Sequence, residues 1–272
     1  MSQPTQLNRR TLLAGLAASP IVTAGIGAFP SAARAKAASF GLISPNVCML
    51  SPEVTEGPYY FDPALLRADI TEGKPGIPLE MALQVVDSQC TPIEGARVDI
   101  WHCDAEGNYS GYSANAGGDT TGETFLRGTL MTGADGVARF ETVYPGWYSG
   151  RTTHIHYKVF LDETTILTSQ IFFPDALSQY LYQSVSPYNL REVMRDTVNS
   201  NDGIAQQAGD GAFAAIREQS DRYVAQLVVG VDETAVSQTG VGAPPRGGPP
   251  PSGAQPAGTS GATLRLVPGT EG

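Results

Sequence analysis

Positive charge is scarce in this chain: 17 Lys and Arg face 27 Asp and Glu, for a formal net charge of −10. A surface with that balance repels phosphate backbones and anionic bilayers, which argues against nucleic acid and acidic membranes as partners. Also missing is an unbroken apolar run long enough to span a bilayer. The most apolar stretch, up to about Phe29, is interrupted by Ser19, Pro20, Thr23 and several glycines, which disfavours an uncleaved anchor and stable membrane insertion. Cysteine is limited to Cys48, Cys90 and Cys103. An odd number in a chain bound for an oxidising compartment fits one disulfide and one buried thiol. Cys48 with Cys90 is the expected pair, because Cys103 falls inside an apolar strand pattern. Histidine occurs three times in 272 residues.

The first acidic residue is Glu53, and before it stand Arg9-Arg10, Thr11-Leu12-Leu13 and an Ala/Gly-rich apolar stretch. This order reads as a signal peptide of the twin-arginine kind over residues 1–35 and implies export to the periplasm or beyond the cell. Ala33-Arg34-Ala35 offers a cleavage site after Ala35, with Ala38 as the alternative. Cleavage after Ala35 removes three arginines and no acid, leaving 14 basic against 27 acidic side chains.

Residues 36–78 read as an extended segment, with Ser51 to Tyr60 wrapping along the body of the domain. From Leu79 the pattern changes to short β-rich runs: Leu79 to Asp87, Ala96 to His102, Phe125 to Thr132, Ala138 to Val143, His154 to Leu161 and Thr165 to Phe173. Turn residues such as Asp135-Gly136 and Pro145-Gly146 separate them. Strands at this spacing, joined by turns rather than helical crossovers, predict an all-β fold: an antiparallel β-sandwich over residues 79–236 with a few short helices. Leu190 to Val198 and Gly211 to Leu227 have mixed periodicity, compatible with short helices or a last strand at Ala225 to Val231. Residues 237–272, rich in Gly and Pro, are expected to form a disordered tail.

Two of the three histidines, His154 and His156, are one residue apart in a strand-like run. Side chains alternate along a strand, so both project from one face while Ile155 and Tyr157 take the other. Two imidazoles on one face make a metal-ligand pair, although two solvated polar positions would read the same way. Tyr109 and Tyr148 sit at turns able to place them beside that pair. A phenol binds metal as a phenolate, and a ferric ion supplies the charge that lowers its pKa from about 10. Two phenolates and two neutral imidazoles suit iron(III) better than zinc or magnesium.

The segments Val98 to Tyr109, Phe125-Leu126-Arg127-Gly128, Thr132 to Phe140, Tyr144-Pro145-Gly146-Trp147-Tyr148 and Arg151-Thr152-Thr153-His154-Ile155-His156 together resemble the intradiol ring-cleavage dioxygenases. The similarity runs from about Thr55 to Phe173 and is to an exported, protocatechuate 3,4-dioxygenase-like branch. What the resemblance implies is a non-haem Fe(III) enzyme that opens a catechol-type ring with O2 to a muconate-type diacid. By the same resemblance, Tyr109 is the phenolate that stays on iron and Tyr148 the one that leaves when substrate binds. His154 and His156 complete the ligands, Arg151 stabilises negative charge on the ring, and Gln170 is a polar neighbour of the metal.

No equivalent of the groups that hold a ring carboxylate in protocatechuate-cleaving relatives is evident, so the particular catechol stays open. The oligomeric state is open too, and a homo-oligomer is compatible with the family. His102 either borders the pocket or is a satisfied structural residue. The runs Gly95-Ala96 to Trp101 and Asp135-Gly136 to Phe140 also resemble transthyretin-like and adhesion-type β-modules, which bind a ligand or partner without a metal. A third reading keeps the metal but assigns another oxidase chemistry, or binding without turnover.

Overall fold

The computed structural model describes residues 49–62, 64–113, 115 and 117–238. The expected signal segment, Cys48 and residues 239–272 lie outside them. Among the described residues eight strands form: β1 (Pro78–Val86), β2 (Arg97–Trp101), β3 (Arg127–Met131), β4 (Val137–Val143), β5 (His154–Leu161), β6 (Thr164–Phe172), β7 (Ala215–Glu218) and β8 (Tyr223–Gly230). They make two four-stranded sheets, ordered β4-β1-β8-β7 and β3-β2-β5-β6. Every named pairing is antiparallel except β1 with β8. A parallel neighbour needs a long crossover, and here the whole chain between the two strands supplies it.

Hydrophobic alternation explains the sandwich. Met81, Leu83 and Val85 of β1, Phe140 of β4 and Leu227 and Val229 of β8 meet Val98 and Ile100 of β2 and Ile155, Tyr157 and Val159 of β5 in one core. The even-numbered residues of β5 therefore face outward from their sheet. That outer face is nevertheless dry. The extended segment before β1 runs along it: the Val54 amide donates to the Thr168 carbonyl at 3.0 Å, and Gln170 Nε2 donates to the Thr55 carbonyl at 2.9 Å. Glu56 pairs with buried Lys158, and Gly57 lies against the His156 ring. Ser237 is still tied to the body by its amide, which donates to Thr165 O at 2.8 Å, so the chain remains attached slightly past the expected start of the tail.

Helices occur where the sequence pattern is least regular. Helix α1 (Asp175–Ser184) starts after Pro174, and its buried positions include Ser178 and Gln179 as well as Leu181 and Tyr182. A half-polar inner face of that kind leaves little apolar periodicity to read. Helix α2 (Gly203–Ala208) is capped by Asp202, whose side chain accepts from the Ile204 and Ala205 amides. The stretch Leu190 to Val198 is not helical beyond the 3-10 turn at Tyr188–Leu190, and Gly211 to Leu227 holds β7 and most of β8. No helix among the described residues is long and apolar enough to cross a membrane. Cys90 is disulfide-bonded and Cys103 is a free, buried thiol; Cys48, the expected partner of Cys90, lies outside the described residues.

Two loops meet at one end of the second sheet. Residues 102–126 follow β2 and residues 144–153 precede β5. The Gly146 amide donates to the Asp104 carbonyl at 3.1 Å, and a Cβ on Gly146 would collide with that same carbonyl. Gly107 has φ +92°, and a Cβ there would strike the Trp147 carbonyl. The glycines thus allow backbone-to-backbone contact between loops that carry Tyr109 and Tyr148. Gly146→Ala should cost about 1–3 kcal/mol through overpacking; a thermal midpoint equal to that of the parent would contradict this contact.

His102 is fully buried and satisfied rather than at a pocket edge: Nδ1–H donates to the Cys103 carbonyl at 2.8 Å, and Nε2 accepts from the Thr142 hydroxyl at 2.7 Å. Burial pushes its pKa down to about 4. The unfolded chain therefore takes up this proton first, and the stability present above pH about 6.5 is lost as pH falls toward 4, by about 3 kcal/mol from this group. Urea titrations across that range should show the decline, and His102→Gln should flatten part of it. Equal pH slopes in the two proteins would refute the assignment.

Candidate functional site

Cross-strand register places a row of side chains on the covered face. Trp101 lies opposite Arg127 on β3 and His156 on β5, and His156 lies opposite Gln170 on β6. Directly opposed residues share a face. Trp101 stacks on the His156 ring with centroids 4.8 Å apart, so the imidazole has a fixed plane. One step along β5, His154 lies opposite Phe172, which packs with Val54 and the alanines of α2.

The six residues singled out in the sequence come together around His154. Its Nδ1–H donates to the Thr152 carbonyl at 2.7 Å, which leaves Nε2 with a free lone pair. Around that nitrogen stand Tyr148 Oη at 3.1 Å, His156 Nε2 at 3.1 Å, Tyr109 Oη at 3.3 Å and Arg151 Nη1 at 3.5 Å. Gln170 is one step removed, accepting from Arg151 Nη2 at 2.5 Å. Tyr109, His154 and His156 are buried, whereas Tyr148 is partly exposed.

Burial governs the protonation of this group. It raises the Tyr109 phenol well above its ordinary value, helped by the neighbouring Tyr148, and raises Tyr148 to about 12 despite Arg151. It lowers His154, with Arg151 adding to the effect, and lowers His156, with His154 adding. Both imidazoles are therefore neutral. Arg151 stays charged: burial opposes its charge, but Tyr148 and Asp202 outweigh that and raise its pKa. For Asp202, burial opposes ionisation, and Arg151 together with the Thr152 amide overcomes it.

This donor set fits a metal ion. One imidazole lone pair can accept one good hydrogen bond, yet three ring or phenol groups and a guanidinium crowd it, and His156 Nδ1 has no hydrogen-bond partner among the described residues. First-row ions bind imidazole at about 2.0–2.1 Å, so adjacent ligand atoms are about 3 Å apart, close to the spacings seen here. Among the described residues no group of three or more His, Cys, Asp or Glu side chains could hold a metal. Any ion bound at this place would draw half of its protein ligands from phenols, which points to a hard, highly charged ion.

Two neighbours escaped the sequence reading. Tyr59 stacks on Tyr109 at 4.2 Å and 7°, and meets Tyr148 edge-on at 6.0 Å. Asp202 accepts from Arg151 Nε and the Thr152 amide, each at 2.9 Å. Tyr59 sits in an extended segment without periodicity. Asp202 before Gly203 carries a helix-cap signal, but nothing in the chain order connects it to Arg151.

A family model described as Dioxygenase matches residues 55–206. The intradiol ring-cleavage dioxygenase from Tetranychus urticae is 37% identical over 70% of this chain and 98% of that one, with a TM-score of 0.64. Catechol 1,2-dioxygenase of Acinetobacter baylyi is 28% identical over 216 residues, 69% of this chain and 66% of the relative. Chlorocatechol 1,2-dioxygenase of Cupriavidus pinatubonensis is 30% identical over 147 residues, 45% of this chain and 54% of the relative. The chain thus spans about half to two thirds of the length of these two curated relatives. Tyr109, Tyr148, Arg151, His154, His156 and Gln170 all fall inside the matched stretch, on an all-β sandwich of the same kind, and the chain belongs to the intradiol ring-cleavage dioxygenase family.

Proposed function

We propose that the protein cleaves a catechol-type ring between its two hydroxyl-bearing carbons, taking up both atoms of O2 and giving a muconate-type diacid. Tyr109, Tyr148, His154 and His156 would hold a non-haem Fe(III) ion. The observation that carries this reading is the crowding of two phenols and a second imidazole within 3.3 Å of His154 Nε2. Ferric iron, when bound, would supply the Lewis acidity that makes a catechol ring reactive toward dioxygen.

The protein's own residues divide the remaining work. Tyr109 is buried beneath the stacked ring of Tyr59, which holds it in place, so it would be the phenolate that stays on the ion. Tyr148 is partly exposed on the loop before β5; it would be the ligand able to move aside, and its Oη is placed to take a proton from the catechol. Arg151 remains charged and presents Nη1 to the same point, where it stabilises negative charge on the ring. Gln170 orients Arg151 through Oε1 while its Nε2 is anchored on the Thr55 carbonyl. The covering segment excludes bulk water, which strengthens each of these interactions.

The names of the relatives supply catechols and chlorocatechols as substrate candidates. An acidic chain with Arg151 already paired to Asp202 favours an uncharged ring over one bearing a carboxylate. The Arg9-Arg10 segment supports action outside the cytoplasm, and a homo-oligomer is compatible with this reading.

The purified protein should show a broad tyrosinate-to-iron(III) band that moves to longer wavelength when excess catechol is added without oxygen. A protein that stays colourless after ferric loading would remove the enzyme reading and favour a metal-free β-module. Arg151→Ala should retain the band while ring cleavage falls about 100-fold or more, the scale for losing one charge-stabilising donor. Undiminished turnover in that variant would overturn the role of Arg151.

A further inference from the structure

We infer that Asp202, which lies 51 residues after Arg151 in the chain, is the positioning residue that aims the Arg151 guanidinium at the reacting ring. The inference rests on the function proposed above. Asp202 is 2% exposed, and both of its oxygens are committed. Oδ1 accepts from the Ile204 and Ala205 amides at 2.8 and 3.1 Å, and Oδ2 accepts from Arg151 Nε and the Thr152 amide at 2.9 Å each. These four bonds saturate a carboxylate.

The consequence for Arg151 is geometric. A guanidinium is planar, so fixing two of its edges fixes the whole group. Asp202 holds the Nε edge and Gln170 Oε1 holds Nη2, which leaves Nη1 directed at His154 Nε2. Without Asp202 the long side chain regains rotamer freedom, and only Gln170 would restrain it. The Thr152 amide is gripped by the same carboxylate oxygen, and the Thr152 carbonyl sets the tautomer of His154. Helix α2 thus acts as a fixed post: its first-turn amides orient the carboxylate, and the carboxylate orients the arginine. Asp202 touches neither the four ligand side chains nor the point where they converge, which separates positioning from catalysis.

The test compares wild type, Asp202→Asn, Asp202→Ser, Arg151→Ala and the double variant Asp202→Asn/Arg151→Ala, each loaded with ferric iron. Asparagine and serine both cap a helix well. Neither supplies a carboxylate to Arg151: asparagine sets an amide against one of the two donor groups, and serine is too short to reach. Should one variant fold poorly, the other carries the test. The expected result is a drop in kcat of about 10- to 100-fold, the range for misplacing a reacting group by about an ångström, with a smaller change in KM and the tyrosinate band unmoved. In the Arg151→Ala background, Asp202→Asn should then lower kcat less than about twofold, because coupled residues are not additive. A variant with wild-type kcat, or losses that multiply in the double variant, overturns the positioning role while leaving the proposed function standing. A wild-type protein with neither band nor ring cleavage overturns the function and this inference with it.

Discussion

Four polar groups crowd the Nε2 of His154, and that nitrogen has a single lone pair to share among them. The groups arrive from three places: Tyr109 from the loop after β2, Tyr148 and Arg151 from the loop before β5, and His156 from β5 itself. The arrangement holds because the tautomer of His154 is pinned by the Thr152 carbonyl, and the ring plane of His156 by Trp101. Neutral phenols and imidazoles packed this closely in a buried place stabilise one another poorly. A cation held at their centre, as proposed, would change the sign of the whole interaction and turn the raised phenol pKa values into a supply of phenolate ligands.

The fold makes such a place by covering a surface it could have left wet. Antiparallel sheets commonly keep one face in water, and the outer face of β2, β5 and β6 carries Asp99, His154, His156, Lys158 and Gln170. The extended segment before β1 closes over it through a few specific links. Tyr60 donates to Asp99, Arg97 bridges Asp99 and Asp62, and Glu56 meets Lys158. Desolvation cancels much of the attraction within a buried ion pair, so these contacts matter chiefly for where the segment lies. Arg127 follows a different rule: its guanidinium is buried without a carboxylate partner among the described residues, donates to Ser110 and lies over the Phe61 ring at 4.2 Å.

Much of this was legible in the chain. Strand alternation around His154-Ile155-His156 dictates that both imidazoles share a face, since the side-chain period of a strand is two whatever surrounds it. Six apolar runs bounded by turn residues specified β1 to β6 to within a residue or two, whereas β7 and β8 fell in a stretch of mixed periodicity that left helix and strand open. Gly107 and Gly146 marked the loops that deliver Tyr109 and Tyr148, because only residues without a Cβ permit their close approach. Helix α1 was not legible, as its inner face mixes Ser178 and Gln179 with Leu181 and Tyr182.

Tertiary structure alone decided the rest. The pairing of β1 with β8, parallel and far apart in the chain, follows from no local pattern. Only the three-dimensional fold could show that an outward-facing histidine pair is buried, because the segment that buries it carries no periodic signal of its own. The bond from Asp202 to Arg151 has the same character. Local sequence determines which way a side chain points from its own backbone; what it meets there depends on elements brought in from elsewhere, and no spacing rule encodes that distance.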